Sequence, residues 1–250
     1  MKYYIYVSDT KVDMLYAQIP QSFLSKISVE LKIDAKILST TFKRPSSEEN
    51  RYSKLEILSR YIQENEKVGT SDFHDNYIQD RLPMRWMSHG NLVYFSGAGN
   101  KSIIGLAGSS RNVLGFIETK YEGHDVSLPS SSPLDVLNRL AEIFDAEDKK
   151  NYDEGDYGLE QVLYSYVEMS GSVQNFEFLA RRQAYKNVID VYDDNMRGDL
   201  DSWYGKKAIK RNRNNKEFEP YLKDSNYRLS NIPKKDVVIL GSPIYVALSD

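Results

Sequence analysis

Cysteine is absent from this 250-residue chain. That excludes disulfides, thiolate metal sites, thiol nucleophiles and iron–sulfur clusters. Histidine is scarce: His74, His89 and His124 stand alone, with no HxxxH or HExxH spacing, so a zinc site on one helix face is unsupported. Each reads as an ordinary loop residue, although a triad assembled across a fold needs no neighbours in sequence. No run of about 18 apolar residues occurs, so no helix is expected to span a membrane. The N-terminal segment 1–7 (MKYYIYV) is too short and aromatic for a signal peptide, and the cytoplasm is the expected location. A large charge surplus is also missing. The formal net charge is -3, and nothing global points to nucleic acid or to an anionic membrane.

What is present suits a folded protein. Hydrophobic residues make up 40% and charged residues 28%, enough for a sizeable core and unlike a disordered chain. Tyrosine, at 19 copies, falls repeatedly in strand-like runs, where it fits half-buried sheet positions or a binding face. One domain over 1–250 is expected, with a sub-division near 127–133 and a mobile loop near 190–230.

Residues 2–7 read as a strand. Thr10 can cap a short helix through Val12, Leu15 and Ile19, and Pro20 opens a second with Phe23, Leu24, Ile27 and Leu31 at helical spacing. A short strand follows at 35–39. Ser46 and Glu49 have capping-box spacing ahead of a helix with Tyr52, Leu55, Leu58 and Ile62 on one stripe, ending near Gly69. Segment 70–80 is polar and reads as loop. Runs at 84–87, 92–95 and 103–106, separated by turn signals, predict an antiparallel meander that extends through 113–117. Helices are expected after Pro133 and over 159–167, a strand over 172–185, and a final element over 236–248 broken at Gly241-Ser242-Pro243 by a bulge or a tight turn between two short strands. The first and last strands are expected to lie in one sheet. This order predicts an α+β fold, a mixed or mainly antiparallel sheet with packed helices.

Several segments invite chemistry, each with a plainer alternative. Segment 95–102 (FSGAGNKS) evokes a phosphate loop, but Asn100 breaks the GxxxxGK[ST] spacing, and a Gly-rich hairpin turn fits better. Segment 105–115 (GLAGSSRNVLG) holds three glycines, Ser109, Ser110, Arg111 and Asn112. Glycines let backbone N–H groups approach an anion and Arg111 could clamp it; the alternative is a strand and turn with Arg111 solvated. Asp9, Lys11 and Asp13 follow the first strand, a favoured place for ligand contacts, or simply start a helix. Asp190, Asp193, Asp194, Asp199 and Asp201 lack calcium-loop spacing and read as a solvated acidic loop. The basic run 206–216 follows Trp203 and Tyr204 and could hold nucleic acid, but the acids before it could neutralise it.

Segment 4–20 (YIYVSDTKVDMLYAQIP), segments 93–97 and 105–109 (VYFSG and GLAGS), 176–181 (FEFLAR) and 240–247 (LGSPIYVA) together resemble a bacterial family of uncharacterised function, compact proteins of about this size. The resemblance covers most of the chain and implies a bacterial origin and a single architecture, but assigns no catalytic residue or cofactor. Residues 9–18 are also similar to small proteins near bacterial conflict and antiphage systems. The reading that follows is a ligand-sensing or regulatory module in a defence or stress pathway, binding a small anion such as a nucleotide through Asp9, Lys11, Ser109, Ser110 and Arg111, with Arg181 as an outer choice. The alternatives are a metal-dependent enzyme on nucleotides or nucleic acid using Asp9, Asp13 and Glu177, and a module that binds a partner protein. Exposed sheet edges make a homodimer an expectation.

Overall fold

The computed structural model describes residues 2–30, 48–89, 92–115, 159, 162–163, 165–166, 169–188 and 235–249. The strands are β1 (Tyr3–Val7), β2 (Val68–Gly69), β3 (Tyr77–His89), β4 (Leu92–Ala98), β5 (Ser102–Ser109), β6 (Gln174–Asn187) and β7 (Val237–Leu248). The helices are α1 (Asp9–Tyr16), α2 (Gln21–Glu30) and α3 (Glu48–Asn65), and residues 159, 162, 163, 165 and 166 are also helical.

Alternation sets the barrel. In β6, Phe176, Phe178 and Ala180 point to one side and are fully buried with Ile78, Met84, Val93, Phe95, Ile104, Leu106, Ile239 and Val246. Burying each of these large side chains contributes roughly 1.5–3 kcal/mol. The sheet wraps around this cluster and closes. β3 pairs with β4, β4 with β5, β5 with β7, β7 with β6, and β6 returns to β3. Closure leaves these five strands with few free edges. Numbered by chain order, the ring runs 1-2-3-5-4, and only β5 and β7 are parallel. That is the connectivity of a five-stranded Greek-key barrel of the OB type. β1 lies antiparallel on the second half of β7, and β2 runs parallel to the start of β3.

Two layers cover the outside. Leu55, Leu58 and Ile62 of α3 pack with Val12 and Tyr16 of α1 and Leu24 and Ile27 of α2 against Leu179, Ile244, Tyr245 and Ala247. Leu159, Val162 and Leu163 pack on Leu92, Tyr94, Ile103, Ala107, Val238 and Leu240. Ser165 Oγ donates to Tyr94 Oη at 2.7 Å beneath this second layer.

The meander of β3, β4 and β5 and the pairing of first with last strand agree with expectation, but the extension through 113–117 does not: Ser110–Asn112 is a 3₁₀ turn, Val113 makes an isolated bridge to Tyr6, and 116–117 lie outside the described residues. The sheet is closed, so the protein is mostly β with helices added. Segment 77–80, expected as loop, begins β3. Its polar side chains line the outside while Ile78 is fully buried. Pro83 does not end the strand. It sits where β3 passes from β6, paired over Tyr77–Met84, to β4, paired from Met84, a place that tolerates a residue without an N–H. β7 is one strand through Gly241-Ser242-Pro243, but it carries a bulge beside Pro243: Tyr245 is opposite Leu179 and Pro243 opposite Ala180, which leaves Ile244 as an extra residue, and β6 has a second irregularity between Arg182 and Ala184. Helix α1 starts at Asp9 rather than after Thr10, with Ser8 as N-cap. The expected strand at 35–39, the helix after Pro133, the acidic cluster 190–201 and the basic run 206–216 lie outside the described residues.

Candidate functional site

β1 ends where Ser8 N–H donates to Ile244 O at 2.9 Å, which fixes the start of α1 against β7. The neighbouring Tyr6 points into the barrel mouth, edge-on to Phe95. Its hydroxyl accepts from Asn112 Nδ2 at 3.2 Å and is bonded by Ser8 and the Ser109 backbone. Burial raises the Tyr6 pKa, and these hydrogen bonds oppose it. Gly108 allows this approach, since a Cβ there would lie 2.4 Å from Tyr6 Oη. Leu114 N–H donates to Ile5 O at 2.8 Å. The β1–α1 junction and the turn after β5 are thereby tied together, and they carry Asp9 and Lys11 on one side and Ser109, Ser110 and Arg111 on the other.

The individual residues differ in what they can do. Asp9 accepts from Arg51 of α3 at 2.6 Å, and Asp13 accepts from Lys54 at 2.6 Å. Desolvation raises the Asp9 pKa against the pull of Arg51. Lys11 reaches back to donate to the backbone carbonyl of Pro243 at 2.9 Å. Burial drops its pKa from 10.5 to about 8, and among the described residues no carboxylate lies within ion-pair distance. Ser109 caps a single 3₁₀ turn, Ser110–Asn112. Ser110 is fully buried and supports that turn, whereas Arg111 is exposed. Arg181 is exposed on β6, in register with Ser242 and Tyr77. It is one strand across from the Lys11 anchor and outside the cluster.

A second polar feature was legible only as a lone acid. Glu177 is 6% exposed on the outside of β6. Lys2 and Arg81 pair with it, Arg81 at 3.1 Å, and Tyr245 Oη donates to it at 2.8 Å. These partners hold the Glu177 carboxyl below its usual range against desolvation, while burial and the carboxylate push the Tyr245 hydroxyl up. Lys2, Gln79, Asp80, Arg81 and Glu177 line an open depression of about 440 Å³. The sequence signal was Glu177 between Phe176 and Phe178, a carboxylate on the outer face of a buried strand. Its partners come from 96 and 175 positions away and give no local signal. Asp9, Asp13 and Glu177 are thus each engaged by different cations, and among the described residues no three metal-ligating side chains converge.

In OB-type barrels the second and third strands often carry nucleic acid or sugars on their face. Here those strands are β4 and β5, buried on both sides beneath Leu159, Val162 and Leu163. The fold therefore defines a mostly β protein, a small closed barrel with two added strands and covering helices. The chain belongs to the family of unknown function DUF7019, whose model matches residues 2–199. That span includes β1 to β6 and stops before β7. A search of curated proteins and one of solved structures each returned no match. No described helix is long and apolar enough to cross a membrane.

Proposed function

We propose that this protein is a ligand-binding regulatory module that takes a small anion, of the phosphate-bearing class that includes nucleotides, at the β1–α1 junction. The observation that carries this reading is Lys11, a half-buried ammonium whose only protein partner among the described residues is one carbonyl. A desolvated cation without a counter-charge costs stability, and an anion in contact with it would recover that cost. Basic groups also lie close by: Arg51 and Lys54 of α3 reach α1, where they pair with Asp9 and Asp13. Asp9 positions Arg51, and Ser109 positions the turn.

The test is thermal unfolding of the purified protein with a panel of nucleotides, sugar phosphates and neutral analogues. A ligand present at 100 times its Kd should stabilise the wild type by about 2.7 kcal/mol, and Lys11→Met should lose most of that shift. Equal shifts in wild type and Lys11→Met would remove Lys11 from the site. No shift with any phosphate-bearing compound would sink the proposal.

A partner protein is the second reading, favoured by β1. Tyr3 is 68% exposed, and on the edge away from β7 the described residues meet β1 only at Ile5 and Tyr6. Such an edge can accept a strand from a partner or a second copy. Light scattering of the purified chain reads the second copy directly.

A further inference from the structure

The turn between β4 and β5 lies apart from Lys11 and holds an anion already. Asp72, in the segment linking β2 to β3, places its carboxylate against this turn. Oδ1 accepts from Lys101 N–H at 2.8 Å and from Ser102 Oγ at 3.4 Å, and Oδ2 accepts from Asn100 N–H at 3.2 Å. Gly99 makes room: a Cβ there would sit 2.7 Å from Asp72 Oδ1 and 2.6 Å from Ser71 Oγ. The turn is closed by Gly99 N–H on Ser102 O at 2.9 Å. Lys235 braces it from behind, donating to Gly99 O at 2.7 Å and Asn100 O at 2.9 Å. Lys235 thus backs a turn whose backbone N–H groups and hydroxyl converge on one oxyanion, and the Lys101 ammonium lies 5.5 Å from the centre of the Phe73 ring.

This is the FSGAGNKS segment that fails the phosphate-loop spacing. The spacing stands in for a physical property, several N–H donors converging on one point beside a lysine, and this hairpin has that property without a following helix. We propose that the β4–β5 turn is a phosphate-binding nest in which Asp72 is a self-ligand that a phosphate monoester displaces. A phosphate offers three oxygens to the same donors and carries a second negative charge. Asp72 competes because its tether gives it an effective concentration in the millimolar range or above. Displacement would free segment 70–76, which Asp72 helps to hold on the barrel, so the nest would couple a ligand to the position of that loop.

The experiment is a ¹⁵N-resolved titration of the full chain with inorganic phosphate and, separately, a nucleoside monophosphate, at constant ionic strength set with chloride. In Asp72→Ala the Asn100 and Lys101 amide signals should shift and saturate at a concentration at least about tenfold below that for the wild type. Asp72→Asn, which keeps an acceptor for the turn, guards against a misfolded loop and should fall between the two. Adding Gly99→Ala to Asp72→Ala should abolish the response, while Lys11→Met should retain it, which separates this nest from the β1–α1 site. Saturation by the nucleotide well below inorganic phosphate would support the nest and assign it a larger ligand; equal saturation would support a site for the phosphate group alone. No saturable shift of either amide in both Asp72 variants, or the same shift with chloride, overturns the proposal.

Discussion

Replacing Lys11 by methionine separates the cost of its charge from the rest of its packing. The folded pKa of about 8 lies below the reference value of 10.5, so between these pH values the unfolded chain binds more protons than the folded one. Stability contributed by this group therefore rises with pH across that window and is flat on either side. The 2.5-unit gap corresponds to about 3 kcal/mol at roughly 1.4 kcal/mol per unit, and partial solvent contact trims this to about 2–3 kcal/mol. Methionine removes the charge and also the hydrogen bond to Pro243 O, worth about 1 kcal/mol. Lys11→Met should be more stable than wild type at pH 7 by about 1–2 kcal/mol, and less stable by about 1 kcal/mol at pH 10.5. Urea unfolding of both proteins at half-unit steps from pH 7 to 10.5 measures the difference, in which other titrating groups cancel. A gap that stays constant across this range would refute the claim that Lys11 is a desolvated cation, and with it the support for an anion site. A destabilised variant at pH 7 would do the same.

Glu177→Gln should destabilise the protein by about 1–3 kcal/mol at pH 7, since it strips charge from a buried acceptor of three donors. Because the folded carboxyl lies below its ordinary value, that contribution is present above the unfolded pKa and lost as pH falls through the folded one. Acid unfolding should show the gap between wild type and Glu177→Gln closing below about pH 4.3. Gly105→Ala would place a Cβ 2.1 Å from Tyr94 Oη and 2.8 Å from Val162; a loss of about 3 kcal/mol is expected in chemical denaturation, and a silent substitution would contradict the packing of the helical residues on β4. Ser165→Ala, which removes the donor to Tyr94 Oη, should cost about 1–2 kcal/mol by the same assay.

Local periodicity carried most of the elements. Leu55, Leu58 and Ile62 announce α3, and the alternation of Phe176 and Phe178 with Glu177 announces β6, because one buried face leaves its own period in the sequence. Barrel closure left no such trace. The pairing of Tyr77 with Arg181 joins segments about a hundred positions apart, and a closed ring and an open sheet demand the same alternation from each strand. The start of β3 was hidden because Gln79, Asp80 and Arg81 are polar on a strand whose fully or nearly buried side chains are Ile78, Leu82 and Met84. Gly241-Ser242-Pro243 marks an irregularity of pairing rather than a break, since β7 runs on with Ile244 as an extra residue opposite β6. At the candidate site, the residue types and the two segments were legible. The tie through Tyr6, the burial of Lys11 and the capture of Asp72 by the β4–β5 turn were not, since each depends on which backbone atoms a distant strand brings near.

β7 pairs with β1, β5 and β6 at once, and Tyr3 meets Leu248. β1 is therefore completed by a strand made almost 250 residues later. At roughly 5–20 residues per second this leaves β1 without its partner for on the order of tens of seconds. The β3–β4–β5 meander can assemble meanwhile from neighbouring strands, but the ring stays open until β7 slides between β5 and β6. Synthesis order thus makes β7 the keystone, and a ribosome stalled before residue 237 would carry an unclosed sheet with its apolar interior facing water.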